Sequence, residues 1–438
     1  MTHLLRELRK QEEKLFNCVH CGFCLPVCPT YSRVGDEADS PRGRLHFMRA
    51  VVEGRIQPES PALNRHLDRC LGCRACESVC PSGVEYGRLL EGARDVTTAA
   101  VPPSTLSRFL PRVMASPRLL HPLMLMARAL RGTGLPGVAA RRLPGEGLLG
   151  QARLGMGMIA ATAPPKVLNR GWNGVVGPAS ATAASTKLIG GNARTGMLKG
   201  CVQDGLLRRV NRATARVLEA NGFKVVEVSG QGCCGAIHAH TGELEGAREL
   251  ARKNIRAFEG MDLDFIAVNA AGCGASMKEY PYLLGEDPQY GERAQALASR
   301  VRDVSELLGK AGLLQGARVP LKVTYDAPCH LLHAQRVSRE PLALLDSIPG
   351  LELAPLKGHD ECCGGAGIYG ITHPELGGRI SRDKVQAILD TGAQVVATGN
   401  PGCMMQIGAG LRATGARVDV VHPVELLDES YRRGGLYT

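Results

Sequence analysis

Two cysteine runs with identical spacing, 52 positions apart, constrain this 438-residue chain more than any other feature. Each run fits C-x2-C-x2-C-x3-C-P, and three thiolates two residues apart can surround one cluster from a single loop. In proteins with two such runs, the fourth cysteine of each run ligates the cluster of the other run. The runs therefore predict two 4Fe–4S clusters, one held by Cys18, Cys21, Cys24 and Cys80 and the other by Cys70, Cys73, Cys76 and Cys28.

Zinc is the alternative occupant of these runs, because C-x2-C pairs also build zinc ribbons. A zinc ion takes four ligands in two pairs, whereas each run here adds a third cysteine at the same step. The segments around the runs, such as 42–54 and 85–96, have the apolar spacing of helices rather than strands. Residues 1–100 therefore predict an all-helical ferredoxin domain, and iron–sulfur clusters are favoured over zinc.

The other eight cysteines form a second repeat, in the C-terminal half of the chain. Cys201, Cys233, Cys234 and Cys273 correspond to Cys329, Cys362, Cys363 and Cys403, with intervals that agree to within one residue. Strand-like and helix-like runs alternate in both copies, which is typical of a parallel sheet covered by helices. We expect two α/β lobes, at 196–315 and 316–438, related by a pseudo-two-fold axis, with every cysteine at the carboxyl end of a strand. The predicted fold class of the whole chain is multidomain α + α/β.

Residues 101–195 contain no cysteine and are predicted to connect the two halves. Positions 101–200 hold thirteen Lys and Arg against one acid, Glu146, while the whole chain has a net charge of +11. A basic segment favours an anionic membrane face or an acidic partner, and an aromatic content of 4% argues against nucleic acid. A solvated connector is the other interpretation. The apolar segment Arg118–Leu130 is either a membrane-surface helix or a packed core helix, and we favour packing.

The thiols are expected to be reduced and the protein cytoplasmic, because residues 1–16 are charged and lack the apolar stretch of a signal peptide. A peripheral position on the inner face of the cytoplasmic membrane is the alternative. No run of 18 apolar residues predicts a membrane span. GEGLLG at Gly145–Gly150 fits G-x-G-x-x-G but follows no buried strand. The chain therefore predicts no nucleotide-cofactor site and no catalytic residue of its own.

Histidines are concentrated near the C-terminal cysteines, at His238, His240, His330, His333 and His359. Direct coordination is one interpretation, because His330 follows Cys329 and could supply a nitrogen ligand. A histidine beside a cysteine loop more often donates a hydrogen bond to sulfur, which tunes the potential of a metal centre. We favour the hydrogen bond.

The C-terminal half resembles the cysteine-rich domain of heterodisulfide reductases and of several flavin-linked dehydrogenase subunits. The pattern of that family ends in C-x-x-C after each Cys-Cys-Gly, but the last positions here are Ser276 and Gln406. This departure argues against a five-thiolate noncubane cluster and against disulfide-reducing catalysis. Three interpretations of these eight cysteines stay open: a further iron–sulfur cluster, reduced structural thiols, or a site for a single metal ion.

Nearly the whole chain resembles the iron–sulfur subunit of bacterial glycolate oxidase (glycolate dehydrogenase). The resemblance rests on CVHCGFCLPVCPTY, GDEADSPRGR, HLDRCLGCRACESVCPSGVEY, GCCGAIHAH, ECCGGAGIYGITHPEL and TGNPGC. It implies a partner subunit whose FAD oxidises glycolate to glyoxylate, while this chain passes electrons singly toward a quinone or another membrane acceptor. The alternatives are a sister complex acting on glycerol-3-phosphate or lactate, and a catalytic subunit like that of heterodisulfide reductase.

Overall fold

The computed structural model describes residues 5–169, 190–309 and 313–437. The N-terminal part, residues 5–100, contains helices and no strand, as the sequence predicts. Its longer helices have clear start signals: Ser40 Oγ accepts a hydrogen bond from the Gly43 amide at 3.0 Å, and Pro41 stands in the first turn. The α-helices of this part are α1 (Arg6–Arg9), α2 (Glu12–Phe16), α3 (Tyr31–Val34), α4 (Pro41–Val52), α5 (Pro61–Asp68), α6 (Ala75–Ser78) and α7 (Tyr86–Ala100).

One apolar core holds these helices together, and it includes cysteines of both runs. Leu15, Met48 and Leu89 are fully buried in it, and Cys70 and Cys76 belong to the same cluster. The cysteine loops are thus fixed by helix packing. The connector follows as α8 (Thr105–Ala115), α9 (Pro117–Gly132), α10 (Leu135–Arg142), α11 (Gly147–Ala161) and α12 (Lys166–Asn169).

Two four-stranded parallel sheets form the C-terminal half, in the orders β2-β1-β3-β4 and β6-β5-β7-β8. The strands are β1 (Arg194–Met197), β2 (Lys224–Val226), β3 (Phe265–Val268), β4 (Val301–Asp303), β5 (Lys322–Tyr325), β6 (Glu352–Ala354), β7 (Val395–Ala397) and β8 (Asp419–Val421). In the first sheet Gly196 of β1 is paired with Val226 and Ile266. The predicted parallel sheets are confirmed, and each sheet also contains a fourth strand, β4 or β8, that the sequence did not predict.

Helices cover both sheets. The first lobe, residues 194–309, contains α13 (Cys201–Leu206), α14 (Arg208–Ala220), α15 (Ala236–His240), α16 (Leu244–Glu259), α17 (Ala271–Lys278), α18 (Tyr280–Leu284), α19 (Gly291–Ala298) and α20 (Val304–Gly309). The second lobe, residues 313–437, contains α21 (Glu340–Asp346), α22 (Tyr369–Thr372), α23 (Pro374–Asp390), α24 (Pro401–Thr414) and α25 (Pro423–Arg433).

The connector helices pack on the lobes. A Cβ added to Gly157 would lie 2.9 Å from the Ala409 Cβ, so α11 and α24 meet at backbone distance. In α9, Met124 is buried in the main apolar core, whereas Leu125 and Met126 are each 62% exposed. The packed helix that we favoured is therefore observed, with one apolar side exposed to solvent. The other interpretation, a connector that is only solvated, is wrong for the described residues. Positions 170–189 of the predicted connector lie outside those residues.

The N-terminal part contacts both lobes. Glu91 Oε1 lies 2.9 Å from Nδ1 of His240 in the first lobe. The hydroxyl of Tyr369, in the second lobe, donates to the carbonyl of Arg69 at 2.7 Å. The N-terminal cysteine loops are thus held beside a three-way junction. Among the described helices, none combines the length and apolarity that crossing a membrane requires.

Candidate iron–sulfur sites

The two N-terminal cysteine runs adopt the same backbone turn. Two residues after its first cysteine, the first run has His20 with a φ of 55°, and the second run has Gly72 with a φ of 65°. Four residues after it, the runs have Gly22 with a φ of 89° and Arg74 with a φ of 64°. Passing twice through the left-handed region curls the chain sharply. The Gly72 amide consequently points back and donates to Cys70 Sγ at 3.4 Å. Each run is therefore shaped to surround one bound group.

The structure brings the first predicted set together at the surface. One small cavity is lined by Cys18, Cys21, Cys24 and Cys80, and Cys76 also touches it. Leu45, Val84 and Tyr86 supply apolar walls. Cys80 belongs to the second run, so the cavity is consistent with the crosswise ligand set that the spacing predicts. Cys21 is exposed, which places this site at the molecular surface.

The second predicted set is buried. Cys28, Cys70, Cys73 and Cys76 are between 7% and 9% exposed. Their thiols are close enough to act on one another, since ionised Cys73, Cys70 and Cys28 each repel a charge on Cys76. The structure therefore groups the second set as well, on the inner side of the first.

Two of these buried sulfurs, Cys73 and Cys76, are poor thiolates without a cation. Burial, followed by repulsion from Cys73 and Cys70, raises the pKa of the Cys76 thiol well above its ordinary value. Burial and repulsion from Cys329 raise the pKa of Cys73 in the same way. Both are stable as thiolates when iron shares their charge, so the donor set fits a 4Fe–4S cluster.

A buried arginine behind the second set was missed by the sequence analysis. Arg44 of α4 has 0% exposure, and its guanidinium donates to the His66 carbonyl at 2.7 Å and to Thr30 Oγ1 at 3.1 Å. It also pairs with the carboxylate of Asp39 at 3.3 Å. Both charged residues lie in the motif GDEADSPRGR, but a charge-rich motif gives no sign of burial.

Arg44 adds positive charge beside the second set. Thr30 Oγ1, which accepts from Arg44, lies 3.2 Å from Cys28 Sγ. Burial acts to raise the pKa of Cys70, but Arg44 and Arg94 hold it below its ordinary value. A fixed cation next to buried sulfurs stabilises their thiolate forms. For the same reason it stabilises the reduced, more negative state of a metal centre that these sulfurs would hold.

Each lobe gathers its four cysteines after the carboxyl ends of its first three strands, as predicted. Neighbouring thiols lie close enough to shift one another's pKa in chain order, which is Cys201, Cys233, Cys234 and Cys273 in the first lobe and Cys329, Cys362, Cys363 and Cys403 in the second. The Cys-Cys pairs are the most deeply buried, at 3–4% exposure. Four converging thiols in each lobe can hold a metal centre.

The two positions that lack a cysteine offer no thiolate. Ser276 Oγ donates to the Cys234 carbonyl at 3.2 Å, so its side chain is engaged by the backbone. Gln406 is 2% exposed, and its Oε1 has no hydrogen-bond partner among the described residues. The geometry therefore leaves open all three interpretations of the lobe cysteines.

The histidines near the lobes have separate roles. His330 begins a π-helical turn, His330–Ala334, and its Nδ1 lies 3.5 Å from Cys329 Sγ. His240 and His333 instead contact the N-terminal part, His333 through Ser78 Oγ at 2.8 Å. Hydrogen-bond geometry at His330 is consistent with the favoured interpretation, a histidine that donates to sulfur.

The second cysteine set adjoins the second lobe. Cys73, Cys362 and Tyr369 share one buried cluster, and Cys329 packs against it. Burial is the largest cause of the raised pKa of Cys73, and repulsion from an ionised Cys329 is the next largest. Sulfur sites thus extend from the surface at Cys21, through the buried set, to the second lobe.

Comparison with known proteins agrees with this arrangement. Residues 14–84 match the 4Fe-4S dicluster domain family, and residues 195–278 and 323–408 match the cysteine-rich domain family. The first match identifies the N-terminal part as an iron–sulfur domain, and the zinc alternative is set aside.

Three relatives show how far the similarity extends. The chain is 38% identical to the probable glycolate oxidase iron-sulfur subunit of Bacillus subtilis (strain 168), over 96% of this chain and 95% of that protein. It is 32% identical to the glycolate oxidase iron-sulfur subunit of Escherichia coli (strain K12), over 99% of both chains. Lactate utilization protein A of Exiguobacterium sp. is 31% identical over 53% of this chain and 96% of that protein. Because the first two align with nearly every residue, the chain belongs to the family of glycolate oxidase iron–sulfur subunits.

Proposed function

We propose that this chain is the electron-transfer subunit of a flavin-dependent glycolate dehydrogenase complex. A partner subunit oxidises glycolate to glyoxylate at its FAD, and this chain accepts the electrons and passes them to a quinone or another membrane acceptor. The observation that carries the proposal is the full-length similarity to two glycolate oxidase iron–sulfur subunits, which spans both cysteine repeats. The chain itself then needs no hydride-transfer site.

The ligands are assigned crosswise within the N-terminal part. Cys18, Cys21, Cys24 and Cys80 hold one 4Fe–4S cluster, and Cys70, Cys73, Cys76 and Cys28 hold the other. The cavity shared by the first set and the mutual repulsion within the second support this assignment. When bound, each cluster exchanges one electron at a time. The protein supplies thiolates, excludes water from the second set and provides the positive charge of Arg44.

The division of the chain into domains at 1–100, 101–195, 196–315 and 316–438 is part of the same proposal. It is supported by the helical core of the N-terminal part and by the two separate sheets. In the lobes we assign at least one further iron–sulfur cluster to the eight C-terminal cysteines, supported by their convergence after the strands. Cys329 and Cys362 of the second lobe are nearest to the N-terminal sulfurs.

The partner flavoprotein is placed at the loop around Cys21. Val19 and Phe23 flank this cysteine and are 69% and 63% exposed. Large exposed apolar side chains mark protein–protein contact sites, and here they surround a surface ligand. Electrons from the flavin therefore have a short route to the first set.

The connector is placed against the inner face of the cytoplasmic membrane. Leu125, Met126, Leu135 and Leu148 are between 61% and 83% exposed, in the most basic region of the chain. Apolar side chains can enter the lipid interface while arginines attract anionic headgroups. We expect the protein to sediment with phosphatidylglycerol vesicles and not with phosphatidylcholine vesicles. The double variant Leu125→Glu/Met126→Glu should bind less, and undiminished binding would reject this placement.

Serine variants test the crosswise ligands. Anaerobically purified protein should be brown and contain about eight irons from the two N-terminal clusters, and more if the lobes are loaded. Cys24→Ser and Cys80→Ser should remove the same reduced-cluster signal in paramagnetic resonance, while Cys28→Ser removes the other. Cys234→Ser is the matched control and should retain both signals. Loss of different signals in the first two variants would contradict the assignment.

The substrate is tested on the native complex. Glycolate, lactate and glycerol-3-phosphate are offered as donors to a redox dye, and glycolate is expected to give the fastest reduction. A lactate-oxidising complex is the second candidate, because a lactate utilization protein is 31% identical to this chain over 53% of its length. Dye reduction with lactate or glycerol-3-phosphate but not with glycolate would replace the proposed substrate.

A further inference from the structure

A cavity of about 390 Å³ lies where the N-terminal part, the connector and both lobes meet. Its walls include Cys70 of the second cysteine set, Ile237 of the first lobe and Tyr369 of the second. Another side is closed by the residues that join α7 to α8, Val101, Pro102, Pro103 and Ser104, together with Ser107 of α8. The volume lies within the range of small-molecule sites, and the cavity directly adjoins a predicted cluster ligand.

We propose that this cavity binds the ring of a quinone and is the site where quinone is reduced. The inference rests on the proposed function and specifies its acceptor as a lipid-soluble benzoquinone or naphthoquinone. Reduction converts two ring carbonyls into two hydroxyls and consumes two electrons and two protons. The electrons originate from the reduced flavin of the partner subunit, and the protons come from solvent.

The lining suits a neutral ring with polar edges. Ile237, Ile368 and Pro103 provide apolar surface, and Tyr369 provides an aromatic ring. Arg94 also lines the cavity, but its guanidinium already donates to backbone carbonyls, including that of Cys70 at 2.6 Å. Arg65, which is exposed, also lines the cavity, and its guanidinium can donate to a ring carbonyl.

A chain of polar groups connects the cavity with solvent. The Asp68 side chain is 73% exposed, and its Oδ2 lies 3.1 Å from His373 Nε2. His373 Nδ1 lies 3.0 Å from Thr372 Oγ1, and all three residues line the cavity. The His373 ring stacks on Tyr369 at 4.4 Å between centroids, which fixes its orientation. These groups can deliver the protons that quinol formation requires.

The connector carries exposed apolar side chains close in sequence to one wall of the cavity. Val101 lines the cavity and is 41% exposed, and Leu106 and Phe109 of α8 are 39% and 59% exposed. A quinone carries a long apolar tail that remains in lipid, so its site needs an apolar surface nearby. These side chains can supply that surface.

A second cleft of about 550 Å³ is a weaker candidate, although Cys28 and Cys73 line it. Its rim carries Glu361 and Asp383, both of which pair with Arg33. Three acids line this cleft, Asp360, Glu361 and Asp383, against Asp68 alone in the smaller cavity, and no described connector residue lines it. We therefore assign the quinone to the smaller cavity.

Binding is tested on the full chain with a photoreactive azidoquinone, with ubiquinone-1 as competitor. Label is expected in peptides that contain residues 97–107 or 366–373. Ser107→Trp on α8 and Ile368→Trp on the opposite wall fill the cavity and should each reduce labelling at least tenfold. Thr105→Trp is the matched control, since Thr105 is exposed on the same helix and does not line the cavity. Label at other peptides, or equal labelling of all three variants, would overturn the inference.

Turnover separates failure of this inference from failure of the proposed function. If the wild-type complex reduces neither dye nor ubiquinone-1 with glycolate, the proposed function fails. If it reduces the dye, and Ser107→Trp and Thr105→Trp reduce ubiquinone-1 at equal rates, the cavity is not the quinone site. The expected result is a tenfold or greater loss of quinone reduction in Ser107→Trp alone.

Discussion

Replacing Arg44 by methionine tests whether the buried ion network behind the second cysteine set holds the N-terminal part together. The substitution preserves much of the side-chain volume but removes every hydrogen bond that the guanidinium makes. The Thr30 hydroxyl and the His66 carbonyl each lose a donor, and fully buried Asp39 loses one of its partners. Asp39 keeps Arg69 at 2.9 Å and His66 at 3.0 Å, so its charge stays partly compensated.

The expected loss follows from these contacts. Breaking a buried ion pair from one side costs about 3–5 kcal/mol, and the remaining partners of Asp39 place this case near 3 kcal/mol. For a chain of this size, that corresponds to a fall in the melting temperature of roughly 6–12 °C. Bleaching of the visible iron–sulfur absorbance during anaerobic heating gives the measurement.

Arg55 provides the control, in the same N-terminal part but at the surface. Its guanidinium donates to Glu53 at 2.7 Å, and the two side chains are 52% and 35% exposed. An exposed pair contributes about 0–1 kcal/mol, so Arg55→Met should lower the melting temperature by less than about 4 °C. If Arg44→Met and Arg55→Met melt within 2 °C of each other, the buried network does not stabilise this part of the protein.

Three further predictions concern the connector and the two lobes. Gly157→Ala should destabilise by about 1–3 kcal/mol because the new Cβ clashes across the helix contact, while Gly155→Ala, which meets nothing within 4 Å, should stabilise by up to about 1 kcal/mol; opposite shifts in melting temperature check both. Burial raises the pKa of Asp303 to about 6, so folding favours its protonated form and stability is lost as pH rises from 4 to 6. This group should therefore cost the protein about 2–3 kcal/mol between pH 4.0 and 6.5, and Asp303→Asn should remove that loss, as seen by comparing melting at these two pH values. Lys384→Met should cost about 3–5 kcal/mol by stranding buried Asp326, and Lys384→Met/Asp326→Leu should recover most of it; a double variant no more stable than the single one would contradict the argument.

Spacing along the chain was sufficient to predict which N-terminal cysteines the structure brings together. Ligands two or three residues apart must share one turn, so the grouping of Cys18, Cys21 and Cys24 follows from local geometry. The repeat then implied that Cys80 joins them, and the shared cavity agrees. The parallel sheets were predictable for a related reason, because alternating strand-like and helix-like runs allow few other arrangements.

Features that depend on contacts between distant segments could not be predicted. Arg44 is buried because Asp39, Thr30 and His66 surround it, and a lone arginine in a charged motif is usually at the surface. The cavity beside Cys70 likewise has walls from four separate regions of the chain. A single sequence gives the spacing within a segment but not which segments meet.

The sequence repeat also hides a difference between the lobes. Leu198 and Asp326 are equivalent, since each follows the first strand of its sheet and donates its amide to the third strand at 3.0 Å. In the second lobe, however, Asp326 pairs with buried Lys384 at 2.8 Å, whereas the first lobe has an apolar side chain at that place. A buried ion pair is costly to desolvate and is weak support for stability alone. This ion pair lies in the second lobe, whose cysteines adjoin Cys73 of the N-terminal part. A buried charge balance in that lobe would serve electron transfer from the N-terminal sulfurs.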